Sequence, residues 1–332
     1  MSKKIIIEYF LLSVILLGAF IVRLYKIDNP LADWHSWRQV DTSAVSRNFL
    51  KYGFDVLHPR FDDISSLPSG KENPQGYRFV EFPFYNLIHA YFAKSFPSKN
   101  LEWWGRMVSI IFSLGSLIFL YLITKKYLGG KTGLLAAFFF AFLPYNVFFS
   151  RVILPEPMMV FTSLGMIYFF ARWLDQERLS GFFYFLFIVF AAISLLLKPF
   201  TAFLFPVLFY LSWQKWGRLL FRKWPLYLGV VAIIPFFLWR WWMSHYSEGI
   251  PYYPWLFNHE GIRFKGAFFR WIFGERIGKL ILGGWGLVPF VLGIIAERFK
   301  KEGWVFHFWL LGILAYFTNN GVRFKRILNL GK

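Results

Sequence analysis

Long apolar blocks broken by short basic connections recur along nearly the whole chain: 5–22, 104–123, 132–149, 156–173, 181–197, 199–213, 225–243, 281–296 and 304–317. A helix needs about 20 apolar residues to cross a bilayer, and about 17 suffice. Inside hydrocarbon the backbone must satisfy its own hydrogen bonds, so blocks of this kind are read as helices. The expected fold is all-α: a polytopic transmembrane helix bundle of about nine spans. Composition agrees, with 57% of the 332 residues hydrophobic against about 45–50% in soluble domains. The 44 Phe and 16 Trp exceed what one water-soluble core would hold.

A further apolar stretch, 82–96, decides the topology, and it carries Pro83, His89, Lys94 and Pro97. Short cytoplasmic loops are rich in Lys and Arg. With the N-terminus inside and 82–96 uncrossed, the inside connections hold Lys125/Lys126/Lys131, Arg172/Arg178, Lys215/Arg218/Arg222/Lys223 and Arg298/Lys300/Lys301. The short outside connections then hold only Arg151 and Lys198. If 82–96 crosses, the pattern inverts, so this stretch is read as lying along the outer interface. The expectation is a multi-pass cell-membrane protein with a cytoplasmic N-terminus, an uncleaved signal anchor over 5–22 and a site on the extracytoplasmic face.

This reading makes 1–317 one membrane domain with two large outer loops, 23–103 and 244–280. Within the first loop, Trp37, Val40, Ala44, Val45 and Phe49 recur at helical spacing, which predicts a short helix over 36–51. Residues 59–76, rich in Pro, Gly, Ser and Asp, read as irregular loop. The polar, basic tail 318–332 reads either as an outer tail or as a truncation.

The net charge is +19 and there is no cysteine. Disulfides, thiolate metal sites and cysteine nucleophiles are excluded. The basic residues stand at the ends of apolar blocks without forming a run, which points to membrane lipids and an anionic substrate and not to nucleic acid. The six His form no metal-binding spacing, so no metal site or cofactor is expected, and a divalent cation is left open. Gly130-Lys131-Thr132 lacks the upstream glycine of a phosphate loop, since position 125 is Lys. Asp62-Asp63 reads as a solvated acidic pair.

Three segments carry candidate chemistry. In Asp33-Trp34-His35-Ser36-Trp37-Arg38-Gln39-Val40-Asp41, Arg38 and Asp41 share a helix face. They form either a surface pair, worth roughly 0.2–0.5 kcal/mol, or a carboxylate base beside an arginine that can fork two phosphate oxygens. In Ser150-Arg151-Val152-Ile153-Leu154-Pro155-Glu156-Pro157, an acid stands at the mouth of a span; it is either an N-terminal helix charge or a functional carboxylate. Lys198-Pro199 joins two apolar runs, where Lys198 either snorkels, pairs with Glu156 or holds a phosphate. Arg78 and Glu81 add further charge just before 82–96.

These pieces, in this order, resemble the GT-C superfamily of membrane glycosyltransferases. They look like the family of protein O-mannosyltransferases, lipid A aminoarabinose transferases and Rgt-type enzymes. The likeness covers roughly residues 8–215 and includes Arg23-Leu24-Tyr25, Glu81-Phe-Pro-Phe-Tyr, Gly105-Arg106, Phe149-Ser-Arg-Val-Ile-Leu-Pro-Glu156 and Leu197-Lys198-Pro199. It implies inverting transfer of a sugar from a polyprenyl-phosphate donor to a lipid, glycan or protein acceptor. It further implies a first-loop acid as base (Asp41, then Asp33), with Glu156 matching the acid that opens the fourth span. His35, Arg38, Arg78, Glu81, Arg151 and Lys198 are then expected to bind substrate. Many members have an Asp-Glu pair in the first loop, and this chain does not. The rival readings are a multi-pass transporter or lipid flippase, and a truncated relative without activity.

Overall fold

The computed structural model describes residues 3–176, 181–223, 229–252, 259–297 and 301–318. Arg178, Arg298, Lys300, the tail beyond Thr318, and parts of the segments 225–243 and 244–280 lie outside the described residues. The elements are helical throughout. They are α1 (Lys3–Leu24), α2 (Ser36–Tyr52), α3 (Phe84–Ser95), α4 (Leu101–Leu128), α5 (Gly130–Phe142), α6 (Pro144–Phe149), α7 (Glu156–Leu174), α8 (Gly181–Leu197), α9 (Phe205–Trp216), α10 (Ile234–Met243), α11 (Leu287–Glu297) and α12 (Trp304–Thr318), with short 3-10 turns and a π-helix, Arg270–Ile281, between them.

Among the described residues, three helices, α1, α4 and α7, are long and apolar enough to cross a membrane by themselves. Several expected spans are shorter or broken. Segment 132–149 is cut at Leu143, which takes an extended conformation because Pro144 follows it. Segment 199–213 opens as a 3-10 turn, Pro199–Leu204, before α9 begins. Segment 281–296 becomes α-helix only at Leu287. The count of about nine spans therefore does not carry over as uniform long helices.

α1 shows how the apolar blocks are used. Ile6, Ile7, Phe10, Val14, Leu17 and Ile21 are exposed at helical spacing, while Leu12, Ala19 and Arg23 turn inward. An exposed stripe of this kind costs free energy in water and little in lipid. Between helices, small residues allow close approach: a Cβ at Gly165 of α7 would meet the Phe190 ring of α8 at 2.2 Å. Ser163 and Ser194 hydrogen-bond across the same pair at 2.8 Å.

Chain reversals segregate the charges to two ends of the bundle. At one end, where α1 begins and α4 finishes, Tyr121 donates to Glu8 at 2.6 Å and Lys125 pairs with Glu8 at 3.1 Å. The Glu8 carboxylate abuts Gly130 at the start of α5, where the helix dipole favours an anion. The other end gathers the segments read as outer: 25–35, α2, 59–82, the 150–155 turn, Lys198 and residues 244–252.

α2 departs from its expected face. Trp37 and Val40 are exposed, and the buried side is formed largely by Gln39, Thr42, Ser43, Ser46 and Asn48, with Ala44, Val45 and Phe49. Several of these polar groups find partners on neighbouring segments. Asn86 of α3 donates to the Thr42 carbonyl at 2.7 Å. Gly53, with φ 100, ends the helix and donates its N–H to Phe49 at 3.1 Å.

The loop 59–76 is irregular as read, and it is closed at its neck by a bridge between Arg60 and Tyr77. Asp62 is not simply solvated: it pairs with Arg47 and also accepts from Asn48 at 3.4 Å. α3, about 18 Å long at 1.5 Å per residue, packs against α2 and α4. Its Tyr85 donates to the Gly105 carbonyl at 2.7 Å. Burial pushes His89 down to about 4, so the neutral ring donates to the Leu101 carbonyl at 2.7 Å. Residues 242–252 strap onto the first loop through Phe79 N–H to Gly249 (2.7 Å), Tyr252 N–H to Pro68 (2.8 Å) and Trp242 to Leu57 (2.9 Å).

Candidate active site

Six of the residues singled out from the sequence meet in one ion cluster. Glu81, only 9% exposed, accepts from Arg38 at 2.9 and 3.0 Å on its two oxygens. It also faces Lys198 at 3.5 Å. Lys198 in turn pairs with Glu156 at 3.2 Å. Arg78, 6% exposed, pairs with Asp41 at 2.8 Å. Of the two readings of Arg38 and Asp41, the surface pair between them is not formed. Each finds a partner on the segment 78–81, which lies against α2.

Each side chain is positioned by a specific backbone feature. Lys198 stands at the end of α8, where Pro199 stops the α-helix and an extended conformation turns the side chain into the cluster. Glu156 opens α7 with Pro157 in the first turn. Its Oε2 is turned away from solvent with no hydrogen-bond partner among the described residues. Segment 78–82 is pinned on both sides, by Arg78 N–H to Pro59 (2.8 Å) and Phe82 N–H to Leu196 (3.0 Å).

The electrostatics follow from burial and neighbours. Burial pushes the Asp41 carboxyl above the ordinary aspartate value, against the pull of Arg78 and Arg38. Burial also acts upward on Glu81, but Arg38, Lys198 and Arg78 outweigh it and hold that carboxyl below the usual range. Two carboxylates beside one cleft are therefore driven apart, Asp41 above and Glu81 below the ordinary carboxylate value. The cleft is lined by Arg38, Asp41, Thr42, Arg78, Glu81 and Asn86, among others. Three cations and three carboxylates alternate through the cluster, so charge is balanced locally.

The remaining candidates are placed elsewhere. Asp33 accepts from Gln39 at 2.6 Å and lies 4.0 Å from Arg106. His35, in a left-handed conformation with φ 61 ahead of α2, stacks on Trp34 at 5.2 Å and approaches the Phe149 ring at 5.9 Å. Arg151 donates to the Tyr25 carbonyl and lies over Phe148, outside the cluster.

Three structural partners were not singled out as site residues from the sequence. Gln39 holds Asp33 with its amide N–H and accepts from Ile153 N–H at 3.1 Å, joining the first loop to the turn before Glu156. Asn86 links α3 to α2 beside the cleft. Arg106 is 1% exposed and donates to the Ile27 carbonyl at 2.7 Å and to that of Asn29. The signal for Asn86 and Arg106 was a polar side chain inside an apolar helical run.

Residues 81–242 match the family model described as dolichyl-phosphate-mannose-protein mannosyltransferase. The match takes in Glu81, Glu156 and Lys198 and starts after Asp41 and Arg78. Among solved structures, the chain is similar to ArnT from Cupriavidus metallidurans, whose crystal structure is described as bound to undecaprenyl phosphate. The likeness has a TM-score of 0.64 at 15% identity, over 96% of this chain and 56% of that one. The chain has the GT-C fold. In this fold the ion cluster lies at the junction of α2, the 78–81 stretch and the ends of α7 and α8. The chain spans 56% of the length of the ArnT chain it matches. No curated protein sequence matches it.

Proposed function

We propose that this protein is a membrane glycosyltransferase that moves a sugar from a polyprenyl-phosphate donor to a hydroxyl-bearing acceptor at the extracytoplasmic face. The observation that carries this reading is the alternating cluster of Arg38, Arg78 and Lys198 with Asp41, Glu81 and Glu156, in which Arg78 is buried and Asp41 and Glu156 stay partly open to solvent. The GT-C fold and a structural relative crystallised with undecaprenyl phosphate support it. So does the family model over 81–242.

The chemistry is a substitution at the anomeric carbon. The acceptor oxygen forms a bond to that carbon as the bond to the phosphate oxygen breaks. The acceptor proton passes to a carboxylate, and polyprenyl phosphate leaves. Asp41 is the preferred base: it lines the cleft, and burial makes its ionised form a better proton acceptor than an ordinary aspartate. Asp33 is the second choice. Arg38 and Lys198 are assigned to the phosphate, because fixed cations in a partly dry site stabilise charge that grows on a leaving group. Glu81 holds both cations in place, and Glu156 completes the Lys198 side. The sugar, the inverting outcome and the membrane sidedness belong to this proposal.

The test is donor consumption. Membranes containing the wild-type chain, or the Asp33→Asn/Asp41→Asn double variant, are incubated with radiolabelled polyprenyl-phosphate sugars. Consumption by the wild type alone is expected. Equal consumption by both removes the first-loop carboxylates from the mechanism. Uptake or flipping of the lipid in proteoliposomes without sugar transfer makes the chain a transporter.

A further inference from the structure

α2 carries two depressions on one stripe. Arg38, Asp41, Thr42 and Val45 line the cleft, and Asn48, Phe49 and Tyr52 line a second pocket. These positions recur at intervals of three and four, so they share a helix face. From Asp41 to Asn48 the rise is about 10 Å. The wall between the two is residues 58–60: Pro59 lines the cleft, while His58 and Arg60 line the pocket.

The pocket contains groups that the ion cluster does not use. Asp55 is exposed and held in a tight turn, its Oδ1 accepting from the N–H groups of Leu57 and His58, both at 3.2 Å. Its Oδ2 lies 2.9 Å from His58 Nδ1, and His58 Nε2 lies 3.1 Å from the Tyr246 hydroxyl. That network fixes the ring from both sides and anchors it to the strap 242–252. Arg60 lies over the Tyr77 ring at 5.5 Å, and the Tyr52 ring is 64% exposed at the rim.

Asp55 Oδ2, which carries a single contact to His58, has a lone pair left to accept from a sugar hydroxyl, and the planar guanidinium of Arg60 can donate to paired hydroxyl oxygens. An exposed aromatic ring supplies a flat apolar face at low entropic cost. Together they suit a polyhydroxylated ring, which has vicinal hydroxyls on its edge and C–H groups on its face. An anionic headgroup would meet Asp55 as a like charge. An extended peptide would seek a free sheet edge or a row of apolar pockets, and neither lies here among the described residues.

We propose that this pocket is a saccharide subsite, and that the acceptor is a glycan lying along α2, with one unit in the pocket and its reacting hydroxyl in the cleft at Asp41. This rests on the transferase reading and names its acceptor class. The test is saturation-transfer NMR on detergent-solubilised protein with mannotriose, chitotriose and maltotriose, beside a Ser/Thr-rich octapeptide. At least one saccharide is expected to take up saturation. Its affinity should fall about ten-fold, a difference of roughly 1.4 kcal/mol, in both Tyr52→Ala and Asp55→Asn. Both substituted side chains are exposed, and unfolding curves confirm that the variants fold. No transfer to any saccharide, transfer undiminished in both pocket variants, or transfer to the peptide alone overturns the proposal. Binding is read without turnover. Saccharide binding without donor consumption would refute the transferase reading and keep the pocket, and the converse would refute the pocket alone.

Discussion

Glu81 and Asp41 illustrate opposite uses of burial. Both are carboxylates next to arginine, but Glu81 has two cations within 3.5 Å and Asp41 has one. Coulomb attraction therefore wins at Glu81 and desolvation wins at Asp41. If Asp41 is the base, it works deprotonated, so activity is lost as pH falls through its raised pKa. The acidic limb of the rate profile is expected above the ordinary aspartate value, and Arg78→Gln should move it further upward by removing the cation that opposes burial. A limb unmoved in Arg78→Gln would detach it from Asp41. The Asp41→Asn variant alone should lose about 10²–10⁴-fold in rate, read as initial donor consumption. At Glu81 the expected effect is on folding. Glu81→Gln leaves Arg38 and Lys198 without their shared anion, a loss of roughly 3–5 kcal/mol for a broken buried pair. A clear drop in unfolding temperature in detergent would show it, and an unchanged transition would not fit the geometry.

At the scale of elements, the site depends on ties between segments that are distant in sequence. Arg106, near the start of α4, holds the carbonyls of Ile27 and Asn29, and so fixes the stretch that leads to Asp33. Each such hydrogen bond from a charged donor contributes roughly 1.5–3 kcal/mol. Arg106→Met should therefore lower the unfolding temperature and open the 25–35 stretch to limited proteolysis, with wild-type cleavage kinetics as the result that contradicts it. Packing of α7 on α8 is a second tie. Gly165→Leu would drive a side chain into Phe190, where even a Cβ comes within 2.2 Å of the ring. The two helices would separate, and with them Glu156 and Lys198, which open and follow these same helices.

On the scale of the whole molecule, the organising fact is that charge is sorted to two ends of an apolar bundle. Glu8, Lys125 and Tyr121 gather at one end, and the site gathers at the other. The chain has no cysteine, so single-cysteine labelling reads sidedness directly. A cysteine at position 125 is expected to resist an impermeant reagent applied from outside intact cells and to react once the membrane is opened. Labelling from outside would invert the topology.

The apolar blocks determined by themselves that the chain is a helical membrane bundle, because hydrocarbon leaves a long apolar segment no other way to satisfy its backbone. Their order, with Glu81, Glu156 and Lys198 at their mouths, also placed most candidate site residues on one end. The sequence was weaker wherever a proline or a polar face set the outcome. The break at Leu143-Pro144 split one expected span, and the buried face of α2 is polar where apolar spacing had pointed to Trp37 and Val40. Which charge meets which was decided only by the tertiary structure. Arg38 and Asp41 are neighbours on one helix, yet each finds its partner on the 78–81 stretch. Pairing depends on distances of about 3 Å and on desolvation, and both are set by how distant segments pack.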